Sequence, residues 1–274
     1  MSRTKFIVTL TLLIFFLVGC AQTTTTRTAA PASALDRILQ KNTLVVGTSG
    51  NMPPLNMINK EGQVFGYEAD MAQMMANAMG VNVSFATMPF ADLLPALEAG
   101  KIDIILSGMT ITPERNLKVA FVGPYFQSGK AFLTKVERIA NAKDPKKING
   151  PDTTIVVLKG STSQYFVEEV MPKAKLIKAK DYDEAVNLVL QDKVDAMVAD
   201  YPICVISVFR YPDKGLLSVI TPFTYEPIGI AMPRDPVLIN WMENFLSILD
   251  GTGRLDDLEV RWFEDASWLK EMKD

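Results

Sequence analysis

The chain of 274 residues contains no histidine. That absence removes histidine-assisted serine or cysteine nucleophiles and histidine-ligated zinc together. Cysteine is almost as scarce: Cys20 and Cys204 are the two present, and neither a paired-cysteine nor an EF-hand spacing occurs. No metal site and no cofactor are therefore expected. The apolar run Phe6–Val18 is shorter than the ~20 residues that a membrane-spanning helix needs. A strong charge of either sign is also missing, since 28 Lys and Arg stand against 31 Asp and Glu, a formal net charge of −3. Mild acidity argues against nucleic acid as a partner. No sequence repeat recurs at a fixed period.

What is present begins with a leader. Arg3 and Lys5 precede the apolar run, which closes on Leu17-Val18-Gly19-Cys20. This looks like a bacterial lipobox, in which small residues precede a cysteine that is diacylated after cleavage. Residues 1–19 then read as a lipoprotein signal peptide and 20–33, rich in Thr and Ala, as a flexible tether. Cleavage leaves a formal charge of −5, because residues 1–19 hold two bases and no acid. The mature protein is expected outside the cytoplasm, in the periplasm or at the cell surface, anchored to a bacterial membrane through lipid on Cys20. Cys204 is then alone, with no intrachain disulfide, and its apolar surroundings (Ile203-Cys204-Val205-Ile206) make it a small core residue.

About 240 residues follow the tether, enough for one large domain or two of moderate size. Apolar runs and amphipathic stretches alternate. Strands are expected over Thr43–Thr48, Val81–Ala86 and Ile102–Leu106, with helices over Glu68–Met79 and Ala91–Ala99 stopped by Gly80 and Gly100. A second series runs strand Thr153–Leu158, helix Ser163–Met171, strand Lys175–Ala179, helix Tyr182–Gln191 and strand Val194–Ala199. The loop-like Val136–Asp152 precedes it. Leu217–Ile220 and Ile228–Met232 read as later strands, and Val237–Leu249 as a helix ended by Gly251. Such alternation implies parallel sheets covered by helices, in two α/β lobes.

One segment breaks a local rule. After the apolar run Ile102–Leu106 comes Gly108-Met109-Thr110-Ile111-Thr112-Pro113-Glu114-Arg115. Thr112 suits an N-cap and Pro113 the first helical position. Arg115 then falls in the first turn, where the helix dipole disfavours a cation. An unfavourable cation at the C-terminal end of a strand marks a candidate site, and the guanidinium fork matches a carboxylate.

These motifs, in order, resemble the amino-acid-binding branch of the bacterial extracellular solute-binding proteins, family 3, of ABC importers. Gly66-Tyr67-Glu68-Ala69-Asp70-Met71-Ala72 looks like the first signature and Leu93–Asp103 resembles the second. Gly108–Arg115 with Phe121-Val122-Gly123-Pro124-Tyr125 is similar to the third. The resemblance covers about Leu35 to Phe263. It implies a type II periplasmic-binding-protein fold: two lobes, each a mainly parallel sheet flanked by helices, joined by two crossing strands. The crossings would lie near Phe126–Ala131 and Pro222–Pro227. One lobe would comprise residues 34–129 plus 225–274 and the other 130–224.

By the same resemblance Arg115 grips a ligand α-carboxylate, helped by Gly108 and Thr110 and, from the other lobe, by Ser161 and Thr162 after Gly160. Asp200, at a strand's carboxyl end, would pair with the α-ammonium. The side-chain pocket departs from the pattern. Members that bind cationic amino acids often carry an acid at Ser49, and an aromatic is usual at Met52; Leu55 stands where Phe is common. With Phe90 as an apolar wall, a neutral amino acid is the expected ligand. The implied function is an extracytoplasmic, monomeric receptor that closes on an amino acid and delivers it to an ABC permease, without catalysis. Two alternatives stand beside it. A cyclohexadienyl dehydratase-like enzyme shares the pair Gly129-Lys130 but would need a general acid after Asp200, where Tyr201–Val205 offer none. A sensory ligand-binding module is the other. Glu226 has no assigned role.

Overall fold

The computed structural model describes residues 32–219 and 221–272. The leader, Cys20 and most of the tether, through Pro31, lie outside the described residues, as does Ile220.

The chain enters on α1 (Ala34–Lys41), capped by Ser33, and continues into β1 (Thr43–Thr48). Three very short strands follow, β2 (Asn51–Met52), β3 (Asn56–Ile58) and β4 (Val64–Phe65), pairing antiparallel in a small sheet of their own. Then come α2 (Tyr67–Met79), β5 (Asn82–Thr87), α3 (Phe90–Glu98), β6 (Ile104–Ile105) and the single turn α4 (Pro113–Asn116). Helix α2 stops at Gly80, whose left-handed φ of 70° lets its N–H reach back to the last carbonyls.

The long strand β7 (Ala120–Ser128) leads through Gly129 to β8 (Lys130–Thr134). The turn α5 (Glu137–Ala140) precedes the second alternating series: β9 (Thr154–Leu158), α6 (Thr162–Val170), β10 (Lys175–Ala179), α7 (Tyr182–Leu190), β11 (Ala196–Asp200) and α8 (Tyr201–Arg210). After β12 (Leu217–Ser218) the chain returns in β13 (Glu226–Met232), then α9 (Pro236–Gly251) and α10 (Arg254–Glu259).

Two five-stranded sheets result, in the orders β5-β1-β6-β13-β7 and β10-β9-β11-β8-β12. The first three strands of each are parallel, as the alternation requires. The last two are antiparallel, because β7, β8 and β13 are supplied by segments that cross between sheets rather than by strand–helix–strand units. The crossings are tied to each other: Phe223 N–H donates to the Lys130 carbonyl (2.8 Å) and Lys130 N–H to the Thr224 hydroxyl (3.0 Å). The C-terminal segment packs on the first lobe, with the buried Trp262 indole donating to Asp70 on α2 (2.9 Å). Cys204 is buried on α8.

Candidate functional site

Gly108 takes φ +59°, a left-handed conformation that glycine adopts without strain, and an added Cβ would strike the Met52 thioether. The turn is stitched to β13 on its far side: Ile111 N–H donates to the Pro227 carbonyl (2.8 Å) and Gly229 N–H to the Met109 carbonyl (3.1 Å). Thr112 then caps α4 by accepting from Arg115 N–H (3.2 Å). The Arg115 side chain is buried, and it turns away from its own helix. Nη1 donates to the Thr110 carbonyl (2.8 Å) and Nη2 crosses to the Gly160 carbonyl in the other lobe (3.2 Å). Its guanidinium carbon stands 5.6 Å from the centre of the Phe90 ring. Burial lowers its pKa, while Tyr165, Asp200, Glu226 and Tyr182 act in the opposite sense. No carboxylate lies within ion-pair distance of Arg115 among the described residues.

The second lobe meets this group through the turn before α6. Ser161 is a cap, accepting from Gln164 N–H (3.3 Å) while donating to the Leu158 carbonyl (2.7 Å). Thr162 faces the first lobe, its hydroxyl 3.3 Å from that of Thr110 and donating to Glu226 (3.1 Å). A cavity of about 550 Å³ is lined by Arg115, Gly160 and Thr162 with Leu94 and Tyr165 among its walls.

Asp200 occupies the N-cap position of α8 but caps nothing with its side chain. Instead it accepts from the fully buried Lys130 ammonium (2.9 Å), and the Ser128 and Tyr182 hydroxyls each stand 3.4 Å from its oxygens. Lys130 also lies 3.4 Å from Glu226, which accepts from Thr224 (3.0 Å) as well as Thr162. Two buried acids thus share one buried cation, leaving an excess of one negative charge. Burial and the neighbouring Asp200 push the Tyr182 phenol well above its ordinary pKa.

Ser49 belongs to a different corner. It donates to the Asn56 amide oxygen (3.1 Å), accepts from Ser107, and lines a smaller cavity of about 250 Å³ with Asp183 and Arg210, themselves ion-paired at 3.2 Å. Behind both loops lies Glu68, which is 1% exposed. It accepts from Gly108 N–H (2.7 Å), the Asn56 amide (2.6 Å) and the Tyr125 hydroxyl. Burial raises its pKa against those three donors. The Gly108 N–H, expected to face a ligand carboxylate, is committed to Glu68.

Residues 44–265 match the bacterial extracellular solute-binding proteins, family 3. The chain belongs to this family. A cyclohexadienyl dehydratase of Pseudomonas aeruginosa is 26% identical over 235 residues, covering 86% of this chain and 88% of that protein. Among solved structures, an ancestral amino acid-binding protein, a precursor of cyclohexadienyl dehydratase, is 38% identical, with a TM-score of 0.78 over 84% of this chain and all of that one. A binding component of an ABC transporter from Wolinella succinogenes, complexed with lysine, is 36% identical, with a TM-score of 0.78 over 84% of this chain and 99% of that one. The fold is the two-lobed type II arrangement of these proteins. No helix among the described residues is long and apolar enough to cross a membrane.

In this solute-binding protein the structure assembles Arg115, Thr110, Phe90, Gly160 and Thr162 around one point, and Met52 behind Gly108. Asp200 stands in a separate cluster joined to the first by Thr162. Sequence reasoning missed Lys130 and Glu68, and left Glu226 without a role. A signal for Lys130 and Glu226 was available: a lysine beginning the apolar run Ala131-Phe132-Leu133, and an acid just before the apolar run Ile228–Met232.

Proposed function

We propose that this protein is an extracytoplasmic receptor for an amino acid with an uncharged side chain, which it passes to an ABC permease. The observation that carries this reading is the charge pattern of the cleft. Arg115 is held by carbonyl oxygens and keeps its charge for a ligand carboxylate. The cluster of Lys130, Asp200 and Glu226 is one cation short and suits a ligand ammonium. Taken together the four groups are balanced, which matches a zwitterion. Two other acids nearby are occupied: Asp183 by Arg210, and Glu68 by three donors. Glu114 and Glu169 also line the cavity beside Arg115, but both are solvent-exposed, so no buried carboxylate is left over for a cationic side chain.

A cationic amino acid is the second reading, favoured by the lysine complex of the Wolinella protein. An enzymatic reading in the manner of the dehydratase requires a proton donor in the cleft. Glu226 accepts from two hydroxyls beside Lys130, a set of partners suited to a carboxylate acceptor. Delivery to the permease follows from domain closure, with lipid on Cys20 keeping the protein near its membrane. A thermal-shift screen of the twenty L-amino acids tests the proposal, since a ligand stabilises the state that binds it. Stabilisation by neutral amino acids and not by lysine or arginine is the expected result. The reverse ranking would replace it with the cationic reading. Dehydration of a cyclohexadienyl substrate would replace it with the enzymatic one.

A further inference from the structure

On the side of the crossing segments away from Arg115 lies a cavity of about 890 Å³, within the size range of small-molecule sites. Its floor is made by Phe126–Ser128 and Pro222–Tyr225, the two crossings themselves. One wall is the outer face of α8 in the second lobe; the other is Phe263, Glu264 and Ala266, which belong to the first. The crossings separate this cavity from the charged cleft: the hydroxyls of Ser128 and Thr224 reach through to Asp200 and Glu226.

The lining is aromatic to an unusual degree. Phe126, Tyr201, Phe209, Phe223, Tyr225 and Phe263 all contribute, and Phe209 and Tyr225 are 65% and 71% exposed. The one charged residue of the lining is Glu264, and among the described residues it has no cation within ion-pair distance. Aromatic faces attract cations, and a carboxylate beside them fixes the sign of the guest. We propose that this cavity is a second ligand site, for a small hydrophobic amine, and that filling it holds the two lobes closed.

The second half of the proposal follows from where the walls sit. Arg115–Gly160 and Thr110–Thr162 join the lobes on the cleft side. Rotation about the crossings that parts those contacts must bring α8 and Phe263–Ala266 together on the opposite side. A molecule fitting the present cavity resists that rotation and so favours the closed arrangement. Linkage makes the effect reciprocal: an amine here strengthens binding in the cleft, and a cleft ligand strengthens binding of the amine by the same factor.

The probe is 2-phenylethylamine, with 2-phenylethanol as its uncharged counterpart, titrated into the mature chain by calorimetry. Saturable binding of the amine is expected. Phe209→Ala, a change at an exposed ring, should weaken it about fivefold, and Glu264→Gln about tenfold, with the alcohol unaffected by the second change. Small-angle scattering should show a smaller radius of gyration with the amine present. Competition between the amine and a cleft amino acid would overturn the proposal by placing the amine in the cleft. So would absence of binding, or indifference to both substitutions. Binding without compaction would overturn the coupling to closure.

Discussion

Arg115 is satisfied by two carbonyl oxygens, one from each lobe, and such neutral partners leave its charge uncompensated. A ligand carboxylate would supply the stronger, charge-assisted and bidentate partner. Arg115→Ala should therefore weaken amino-acid binding by about a hundredfold or more, the cost of removing one side of a buried hydrogen-bonded pair. Calorimetric titration of a variant whose melting curve is intact checks this; unchanged affinity would remove Arg115 from the site. Lys130 differs, because its removal strands two buried acids. Lys130→Met should destabilise the fold by about 3–5 kcal/mol, and adding Asp200→Asn should recover part of the loss. Urea unfolding of the single and double variants measures it. A variant as stable as the parent would mean that the cluster is open to water.

At the scale of elements, the turn Ser107–Thr112 is fixed by partners far away in sequence: Glu68 on α2 and Pro227 and Gly229 on β13. Gly108→Ala would impose a Cβ on a left-handed backbone position and against Met52. A destabilisation of roughly 1–3 kcal/mol, with weakened ligand binding, is expected. Gly80→Ala is the control, having a similar φ and open space around it; equal ligand affinities in the two variants would show that the turn's shape is irrelevant to binding.

The alternation of strands and helices was legible because Gly80 and Gly100 punctuate it and periodicity changes between elements. Arg115 was legible because it offends a helix dipole. The small sheet of β2, β3 and β4 was not, since two- or three-residue strands are too short to display a period. Nor was the Lys130 cluster legible. Its members lie at strand ends 70 and 96 residues away from the lysine, and only the crossing of the chain between sheets brings them together.

At the scale of the whole molecule, the raised carboxyls set the expected response to pH. Histidine, the side chain that ordinarily titrates between pH 5 and 8, is absent. Glu68 has its pKa raised by burial, so the folded state holds its proton more tightly than the unfolded chain does. The stability due to that difference is complete below the ordinary glutamate value and is lost as pH rises through the raised one, with a slope of at most about 1.4 kcal/mol per pH unit. Glu259, raised by burial and by Asp256, acts in the same sense. Glu68→Gln, which carries no titrating proton, should be flatter across pH 4.5–8. Urea unfolding over that range, with equal slopes in both proteins, would show that Glu68 titrates normally.

The contacts that join the lobes on the cleft side have a consequence for timing. The Gly160 carbonyl holds the same guanidinium that a ligand would claim, and Thr162 is held by Thr110 and Glu226. A ligand arriving by diffusion must wait for those bonds to part. In stopped-flow mixing, the observed rate should rise with ligand concentration and then level at the frequency of opening, a plateau shared by every ligand that fits. Removing the Thr162 hydroxyl with Thr162→Val should raise that plateau, and release would quicken with it. On the proposed reading a receptor that hands over its cargo needs a fast exit, and three lobe-to-lobe hydrogen bonds at the cleft would set the clock.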